Sequence, residues 1–405
     1  MSDDNPIKIR CENLWKVFGP DPKKIIEKWN TFDPKMSKTE LLEKTGCVVG
    51  VREASFSITA GEIFVLMGLS GSGKSTLLRC LNRLHEPTSG KVFIDDQEIT
   101  SLSVKDLRDI RRKKTGMVFQ NFGLMPHRPI IENVGYGLEV QGFKRKERNS
   151  KAMEAIEMVG LKGWEQKYPV ELSGGMQQRV GLARALATDP EILLMDEAFS
   201  ALDPLIRRQM QDEFVKLLSN FKKTIIFVTH DLNEALKMAD RIAVMKDGAI
   251  TQLGSPSDIV LHPKTDYVAE FVKDLPKVKF RTANTIMKKA EGWLVGADEP
   301  ASKIAKKMEK KNRFYAFLAG EDRRIKGVVN YQQLTGNGVM CEPPDEKCVS
   351  TEFPTIPADM VVENIIPIAA KTPIPIAVVD NQNRVKGVVS RKHLLEAIST
   401  KEIKE

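Results

Sequence analysis

Long apolar runs are missing from this sequence. No stretch of hydrophobic residues approaches the roughly 18 that a membrane-spanning helix needs, although 41% of all residues are hydrophobic. The sequence therefore predicts a chain that buries a core of its own and does not cross a bilayer. No signal-peptide pattern opens it, so we expect a location in the cytoplasm.

Cysteine is also scarce, and its positions match no metal site. The five cysteines lie far apart or at spacings that zinc sites do not use. We therefore expect reduced thiols, as is usual in cytoplasmic proteins. These residues are Cys11, Cys47, Cys80, Cys341 and Cys348.

The basic excess is unevenly distributed along the chain. The formal net charge is +8, and residues 276–405 contain 22 Lys and Arg against 16 Asp and Glu. Such a charge favours an anionic partner, which could be nucleic acid or a membrane surface. No nucleic-acid-binding motif accompanies it, so we expect no nucleic-acid partner.

A glycine-rich loop is the most specific motif. Residues 68–75 read GLSGSGKS, after the strand-like run Ile63–Met67 and before a helix predicted from about Lys74. Backbone N–H groups of such a loop and helix N-terminus bind phosphate. We expect Lys74 to reach the β- and γ-phosphates of a nucleotide and Ser75 to ligate Mg²⁺. The expected nucleotide contacts are Gly68, Ser70, Gly71, Gly73, Lys74, Ser75 and Thr76.

Two adjacent carboxylates follow another apolar run, at residues 192–195. Because successive strand residues point to opposite sides, one acid can face a metal while the other faces water. Asp196 suits a Mg²⁺ ligand, and Glu197 suits polarisation of the attacking water. A third run, Thr224–Thr229, places His230 at its carboxyl end. A lone histidine there is more often structural, but the neighbouring motifs favour a catalytic role.

In combination these motifs resemble the ATP-binding-cassette (ABC) ATPases, over roughly residues 6–275. The segment LSGGMQQR at 172–179 resembles the family signature, and SALD at 200–203 resembles the D-loop. In this family the signature completes the ATP site of a second subunit, so a single cassette implies a homodimer with two sites. Ser173 also suits the N-cap of a helix, a role compatible with phosphate binding.

The resemblance also assigns roles to individual residues. Phe18 resembles the adenine-stacking ring, while Trp15 nearby is more typical of a core residue. Gln120 resembles the glutamine that touches Mg²⁺, and His230 the switch histidine. The implied catalytic residues are Lys74, Gln120, Glu197 and His230, and the implied Mg²⁺ contacts are Ser75, Gln120 and Asp196. Further implied nucleotide contacts are Phe18, Ser173, Gly174, Gly175, Gln177, Asp203 and His230.

The C-terminal third contains a weak repeat. Residues 319–329 align with 379–389 at an offset of 60, and Leu334 aligns with Leu394. Each copy predicts helix, strand, turn, strand and helix, and we expect the copies to pack as a pair because neither alone buries much apolar surface. The repeat resembles tandem cystathionine-β-synthase (CBS) domains, which often bind adenine nucleotides.

Both copies lack the ribose-holding aspartate of that family. This departure leaves two alternatives, a non-standard nucleotide such as cyclic di-AMP or a purely structural, dimerising role. The residues that would contact such a ligand are Ile376, Ser390 and Arg391.

A helix predicted over residues 301–311 has one strongly basic face. Its lysines recur at helical spacing opposite Ala301, Ile304, Ala305 and Met308. Such a face is either an ordinary solvated surface or a contact with an anionic membrane that senses ionic strength. At the offset of 60 the second copy has Glu363, Ile366, Pro367, Ala370 and Lys371 instead. The lysines are Lys303, Lys306, Lys307, Lys310 and Lys311.

An insertion at residues 20–46 separates the aromatic loop from the phosphate loop. Its capping box, Ser37 to Glu40, predicts short helices. With residues 119–127 and the C-terminal pair, it resembles the ATPase subunits of glycine betaine/proline betaine importers. The resemblance implies an ATP hydrolase that powers osmoprotectant uptake through a permease with a substrate-binding protein or domain, peripherally at the cytoplasmic membrane face. The alternatives are an importer for another solute, such as an amino acid, and an ABC factor of translation or repair.

The expected fold class is α/β. We expect a P-loop ABC cassette at residues 1–275, with a RecA-like core, an antiparallel β subdomain and a helical subdomain around 125–180. Two CBS domains are expected to follow, at residues 276–340 and 341–405.

Overall fold

The computed structural model describes residues 5–32, 38–200, 202–219, 223–335 and 348–399. The chain forms two compact units. The first comprises Met1–Ile259 and Pro263–Phe271, and the second comprises Val260–His262 and Val272–Glu405.

The helices and strands of the first unit alternate along most of its length. In chain order they are β1 (Ile7–Phe18), α1 (Pro22–Glu27), α2 (Lys38–Thr45), β2 (Val48–Thr59), β3 (Ile63–Met67), α3 (Lys74–Leu81), β4 (Ser89–Ile94), β5 (Gln97–Glu98), α4 (Val104–Lys113), β6 (Thr115–Val118), α5 (Ile130–Val140), α6 (Arg145–Met158), α7 (Gly174–Leu186), β7 (Ile192–Asp196), α8 (Pro204–Ser219), β8 (Thr224–Thr229), α9 (Leu232–Met238), β9 (Arg241–Lys246), β10 (Ala249–Gly254), α10 (Pro256–Leu261) and α11 (Asp266–Val272).

A six-stranded sheet forms the centre of this unit, in the order β10-β9-β3-β8-β7-β6. All neighbours are parallel except the β9–β10 pair. Strands β3, β7 and β8 are continuous apolar runs because helices cover both faces of a parallel sheet. Their carboxyl ends lie at one edge, where ligands bind in open α/β sheets.

A second sheet, antiparallel, has the order β2-β1-β4-β5. The rings of Phe56 and Phe64 stack at 5.1 Å between the two sheets, within one large apolar cluster. The insertion forms α1 and α2, so the prediction of short helices there is confirmed. Ser37 of the predicted capping box lies outside the described residues.

Helices α5, α6 and α7 form the predicted helical subdomain, and α7 extends to Leu186, beyond the expected boundary. The side-chain amide of fully buried Asn133 holds the chain segment that leads into this subdomain. It accepts from the Met125 N–H at 2.8 Å and donates to the carbonyls of Met125 and Arg128.

The second unit consists of two similar halves. Its elements are α12 (Ala283–Ile286), β11 (Lys288–Lys289), β12 (Leu294–Gly296), α13 (Ala301–Lys310), β13 (Tyr315–Ala319), β14 (Ile325–Asn330), α14 (Tyr331–Thr335), β15 (Val349–Ser350), β16 (Thr355–Pro357), α15 (Val362–Lys371), β17 (Ile376–Val379), β18 (Val385–Val389) and α16 (Arg391–Ile398). They form sheets of order β12-β13-β14-β15 and β11-β18-β17-β16.

The halves share an apolar cluster, which confirms the expectation that the copies pack as a pair. Phe317 and Val328 of the first half pack in it with Ala377 and Val388 of the second. The turns also meet, since Arg324 and Arg384 form an antiparallel bridge.

Strands β13 and β14 match β17 and β18 at an offset of 60, but helices α13 and α15 match at 61. In the strands, Ala316 pairs with Val329 as Ile376 pairs with Val389. The helix-to-strand connection is therefore one residue shorter in the second half, and the helix register expected from sequence is corrected. The buried positions Ala301, Ile304 and Met308 recur as Val362, Ile365 and Ala369. The five lysine positions correspond to Asn364, Pro367, Ile368, Lys371 and Thr372.

The cysteines are not all reduced. Cys11, Cys47 and Cys80 are free and buried, and burial raises the pKa of the Cys80 thiol to about 12. Cys348 is disulfide-bonded. The expectation that every thiol is reduced is therefore wrong at that position.

Candidate nucleotide site

The phosphate loop lies between β3 and α3, at the carboxyl edge of the parallel sheet. Gly68 and Gly73 have φ values of +152° and +103°. A Cβ at Gly68 would overlap the Met245 carbonyl, and one at Gly73 would overlap the Gly50 carbonyl. Only glycine fits these positions, so the loop backbone can curl around an anion.

Lys74, the first residue of α3, folds back over this loop. Its Nζ donates to the carbonyls of Gly68 at 2.9 Å and Leu69 at 3.0 Å. Burial lowers the pKa of the ammonium, while the carboxylates of Glu197 and Asp196 oppose that shift. Ser75 and Thr76 follow in the same turn of the helix, both half-buried.

Asp196, the last residue of β7, is buried and asymmetrically bonded. Its Oδ2 accepts from Nη2 of Arg79 at 2.9 Å, whereas Oδ1 is buried without a hydrogen-bond partner. A carboxylate oxygen left in this way suits a hard cation. With the glycine cradle beside it, the residues present fit a magnesium nucleotide. Arg79 was missed by the sequence analysis, because its spacing on α3 carries no motif.

Three other predicted residues surround Glu197. Lys74 Nζ lies 3.9 Å from Oε1, Gln120 Nε2 donates to Oε2 at 3.3 Å, and His230 Nδ1 lies 3.5 Å from the same oxygen. Glu197 itself has a φ of +45°, which is uncommon for a residue with a side chain. Because of this strained backbone, the carboxylates of the consecutive residues Asp196 and Glu197 can both lie at the carboxyl edge of the sheet.

A buried carboxylate supports the segment that holds His230. Thr229 Oγ1 and Gln211 Nε2 both donate to Glu234, which is 5% exposed. Burial raises the pKa of Glu234, and those two hydrogen bonds oppose the rise. The Thr229 hydroxyl also accepts from the Asp231 N–H at 2.9 Å. The sequence analysis missed Glu234, although this acidic residue follows closely after His230, in the first turn of α9.

The two aromatic candidates near the insertion differ in exposure. Phe18 is 40% exposed at the end of β1, with Lys16 Nζ 4.7 Å from its ring centroid. Trp15 is 3% exposed and meets Trp29 edge to face. Phe18 is therefore open to a stacking base, and Trp15 is a core residue.

Ser173 is the N-cap of α7, accepting from the Met176 N–H at 3.3 Å. Gly174 and Gly175 form the first turn of the helix, exposed and half-buried respectively. Gln177 turns inward, and its amide donates to the carbonyls of Pro169 and Leu172. Its side chain is thus engaged within the helical subdomain.

Asp203 immediately precedes α8 and accepts from the N–H groups of Leu205 and Ile206. Three residues earlier, the Ser200 hydroxyl donates to the Glu197 carbonyl at 2.9 Å. Arg207 donates to three carbonyls in and next to this D-loop and was missed by the sequence analysis. They belong to Phe199, Ser200 and Leu202.

The candidate regulatory residues of the second unit are used structurally. Ile376 is 1% exposed in an apolar core, so its side chain is closed to a ligand. Ser390 caps α16, accepting from the His393 N–H. Arg391 donates to the carbonyls of Ala369 and Thr372. Of the three, the structure leaves least room for Ile376, because a fully packed side chain cannot also line a cleft.

The five lysines of α13 lie on its exposed face, and its apolar residues are buried. Lys307 pairs with Glu299 through both carboxylate oxygens, at 2.7 and 2.6 Å. Burial alone would raise the pKa of Glu299, but hydrogen bonds from Lys307 and the Gly296 N–H bring it below its usual value. The charge of Lys307 is therefore locally compensated.

Comparisons with known proteins bear on this site. A family model described as ABC transporter matches residues 51–200, and one described as CBS domain matches residues 346–400. The glycine betaine transport ATP-binding protein OpuAA of Bacillus subtilis is 48% identical over 98% of this chain and 94% of its own length. The chain belongs to the ATP-binding proteins of the ABC transporters. Members of this family hydrolyse ATP with Mg²⁺.

Two further relatives within this ABC family carry different names. The glycine betaine/proline betaine protein ProV of Escherichia coli is 42% identical over 97% of this chain and 98% of its own. The trimethylamine N-oxide protein TmoW of Pelagibacter ubique is 47% identical over 82% and 97%. A solved dimeric ATP-binding cassette with ADP and Pi bound has a TM-score of 0.51 and 33% identity, over 61% of this chain and 98% of its own.

These comparisons confirm the expected fold class, an ABC cassette followed by a CBS domain. Within the described ranges, none of the helices has both the length and the apolar character that a bilayer crossing requires.

Proposed function

We propose that the chain is the ATP-hydrolysing subunit of an importer for glycine betaine- or proline betaine-type osmoprotectants. The observation that carries the chemistry is the convergence of Lys74, Gln120 and His230 on Glu197. The observation that carries the substrate class is the likeness to OpuAA and ProV over almost the whole chain.

Each residue of the site has a separate task in this proposal. Phe18 stacks on the adenine, and the phosphate loop with Lys74 binds the phosphates. Ser75, Gln120 and Asp196 hold Mg²⁺, which when bound neutralises charge on the β- and γ-phosphates. The other nucleotide contacts proposed are Gly68, Ser70, Gly71, Gly73 and Thr76.

Hydrolysis is assigned to the carboxylate next to the metal ligand. Glu197 orients the attacking water and accepts its proton, and His230 steadies that carboxylate and the γ-phosphate. A homodimer is required, because Ser173, Gly174 and Gly175 would present N–H groups of the α7 N-terminus to ATP on the partner subunit. Gln177 and Asp203 would support that interface.

A groove beside Gln120 supports the proposal of a permease partner. It has a volume of about 350 Å³ and is lined by apolar side chains and by arginines. Phe119, Tyr136 and Val140 are exposed there. A groove that combines apolar and basic side chains suits a short helix of a membrane partner. The chain would then sit peripherally at the cytoplasmic face, with a substrate-binding protein or domain supplying the solute.

The decisive experiment is solute-stimulated ATPase activity. The chain is purified with its permease, placed in liposomes and supplied separately with glycine betaine, proline betaine, trimethylamine N-oxide and an amino acid. Stimulation by either betaine supports the proposal. Stimulation by the amino acid alone would contradict it, as would ATPase activity that no permease affects, the behaviour of a translation or repair factor.

The likeness to TmoW favours trimethylamine N-oxide as a second candidate solute. It shares a methylated cationic nitrogen with the betaines but lacks their carboxylate. Stimulation by trimethylamine N-oxide without stimulation by either betaine would select it.

We further propose that the CBS unit regulates transport, through ionic strength at the α13 lysines or through cyclic di-AMP. The exposed lysine face supports a contact with anionic lipid, and the missing ribose-holding aspartate favours a non-standard nucleotide. Ser390 and Arg391 remain the proposed contacts. Calorimetric titration of the full-length Lys74→Ala chain with cyclic di-AMP, ATP and AMP tests the ligand. Absence of heat from cyclic di-AMP would favour a structural role.

A further inference from the structure

The insertion between β1 and β2 is anchored on the cassette by apolar packing. Ile25 of α1 and Leu41 of α2 are both 5% exposed and lie in one cluster with Trp15. Trp29 closes the cluster, with its ring centroid 5.4 Å from that of Trp15. This packing fixes the position of α2, which begins at Lys38.

Lys38 reaches from the insertion to the phosphate loop. Its Nζ donates to the Gly71 carbonyl at 2.8 Å and lies 3.8 Å from Asp247 Oδ1, in the turn between β9 and β10. Burial lowers the pKa of the ammonium, Asp247 opposes that shift, and Arg52 adds to it. A half-buried lysine thus joins the loop to two other parts of the cassette.

Gly71 is the glycine of the loop that packing does not restrain. Its φ is +75°, and a Cβ there would meet nothing within 4 Å. By contrast, backbone carbonyls crowd Gly68 and Gly73 on the side where a Cβ would be. Because glycine accepts either sign of φ, hydrogen bonds select the conformation at Gly71. The Ser72 N–H donates to the Leu69 carbonyl at 3.2 Å, and the Lys38 bond to the Gly71 carbonyl holds the other side of the same peptide group.

We propose that Lys38 is a positioning residue for MgATP binding, which holds the Gly71 carbonyl and thereby orders the phosphate loop. The peptide group is planar, so fixing this carbonyl also fixes the direction of the Ser72 N–H. The inference rests on the proposed role of the loop as the nucleotide site. It makes the loop geometry dependent on a segment that lies outside all the ATP motifs.

The test is steady-state ATP hydrolysis by the full-length chain with its permease, at varied MgATP. Lys38→Gln should raise KM about three- to tenfold, because one charge-assisted hydrogen bond is lost. Its kcat should change by less than about twofold, since the contact is present before and during the reaction. Lys38→Arg keeps a donor and should recover part of the affinity. Lys44→Gln, an exposed position on the same helix, is the matched control.

An unchanged KM in Lys38→Gln, at a wild-type unfolding temperature, overturns the proposal. An equal rise in Lys44→Gln also overturns it. If Lys38→Gln unfolds at a lower temperature than the wild type, Lys38→Met is used instead, because it keeps the apolar part of the side chain. A wild-type KM in Lys38→Met would then overturn the proposal. A wild-type chain without ATPase activity would instead contradict the proposed nucleotide site, which keeps the two failures distinct.

Discussion

Gln120 Nε2 donates to Glu197 Oε2 at 3.3 Å, and His230 Nδ1 lies 3.5 Å from that same oxygen. One carboxylate oxygen is therefore shared by side chains that follow two different strands, β6 and β8. Movement of either segment changes the orientation of the group to which we assign water activation. This arrangement couples the chemistry to the helical subdomain, whose chain begins just after Gln120.

Replacing Glu197 by Gln should separate binding from hydrolysis. The amide keeps the shape but cannot accept a proton, so ATP hydrolysis should fall by about 100-fold or more. Binding of MgATP should persist, because Lys74 and the loop are untouched. The rate of ATP turnover and the affinity for MgATP are measured in parallel, with Lys74→Ala as the variant that is expected to lose binding. Wild-type turnover in Glu197→Gln, or a loss of binding equal to that in Lys74→Ala, would remove Glu197 from this role.

Replacing Glu234 by Gln should alter the pH dependence of stability. Burial raises the pKa of Glu234 from its ordinary value of 4.5. The folded chain therefore holds this proton more tightly than the unfolded chain, and stability is lost as pH rises from 4.5 to the raised value. Glutamine does not titrate, so the variant does not lose stability in this way, and its amide oxygen can accept the hydrogen bond from the Thr229 hydroxyl. The unfolding temperature of the variant should exceed that of the wild type more at pH 8 than at pH 5. Parallel profiles would contradict the prediction.

Replacing Tyr267 by Phe should weaken MgATP binding through the other side of the loop. The Tyr267 hydroxyl accepts from the Leu69 N–H and donates to the Met245 carbonyl, both at 3.3 Å. Removing it leaves a loop N–H without that partner, so KM for MgATP should rise about two- to fivefold. Combination with Lys38→Gln should give effects on binding free energy that are not additive, because the two contacts hold Leu69 and Gly71 of the same short loop. An unchanged KM would show that Tyr267 serves only local packing.

Replacing the five α13 lysines by Gln should make uptake less dependent on salt. Each lysine near an anionic bilayer contributes on the order of 1 kcal/mol, and screening shortens from about 10 Å at 0.1 M salt to 3 Å at 1 M. Lys307 should contribute least, because Glu299 already pairs with it. Uptake is measured in anionic liposomes over a salt series. The substitutions are at Lys303, Lys306, Lys307, Lys310 and Lys311.

The control for the lysine variant loses the same charge elsewhere on the second unit. It carries Gln at exposed lysines that do not share one helix face. An equal flattening of the salt response in both variants, or an unchanged threshold in the α13 variant, would identify the face as ordinary solvated surface. The control positions are Lys288, Lys289, Lys326, Lys386 and Lys392.

Local signals were sufficient for the elements of the cassette core. The phosphate loop begins after the predicted strand Ile63–Met67, and the following helix begins at Lys74, as its spacing indicated. Both depend on short-range chemistry, an apolar run and glycines that turn the chain. The repeat of the second unit was visible for the same reason. Helix α15 is nevertheless shifted by one residue from the expected register, because a connection shortened by one residue leaves no mark in composition.

What the sequence by itself determined is the set of groups that can bind and hydrolyse a nucleotide, because their spacing on strands and helices is local. Only the tertiary structure decided which of them meet. It brings Gln120 and His230 to one oxygen of Glu197, Arg79 to Asp196, and Lys38 to Gly71 across 33 residues. Such contacts depend on the pairing of distant strands and on the packing of an insertion, and neither has a short-range pattern that a sequence can display.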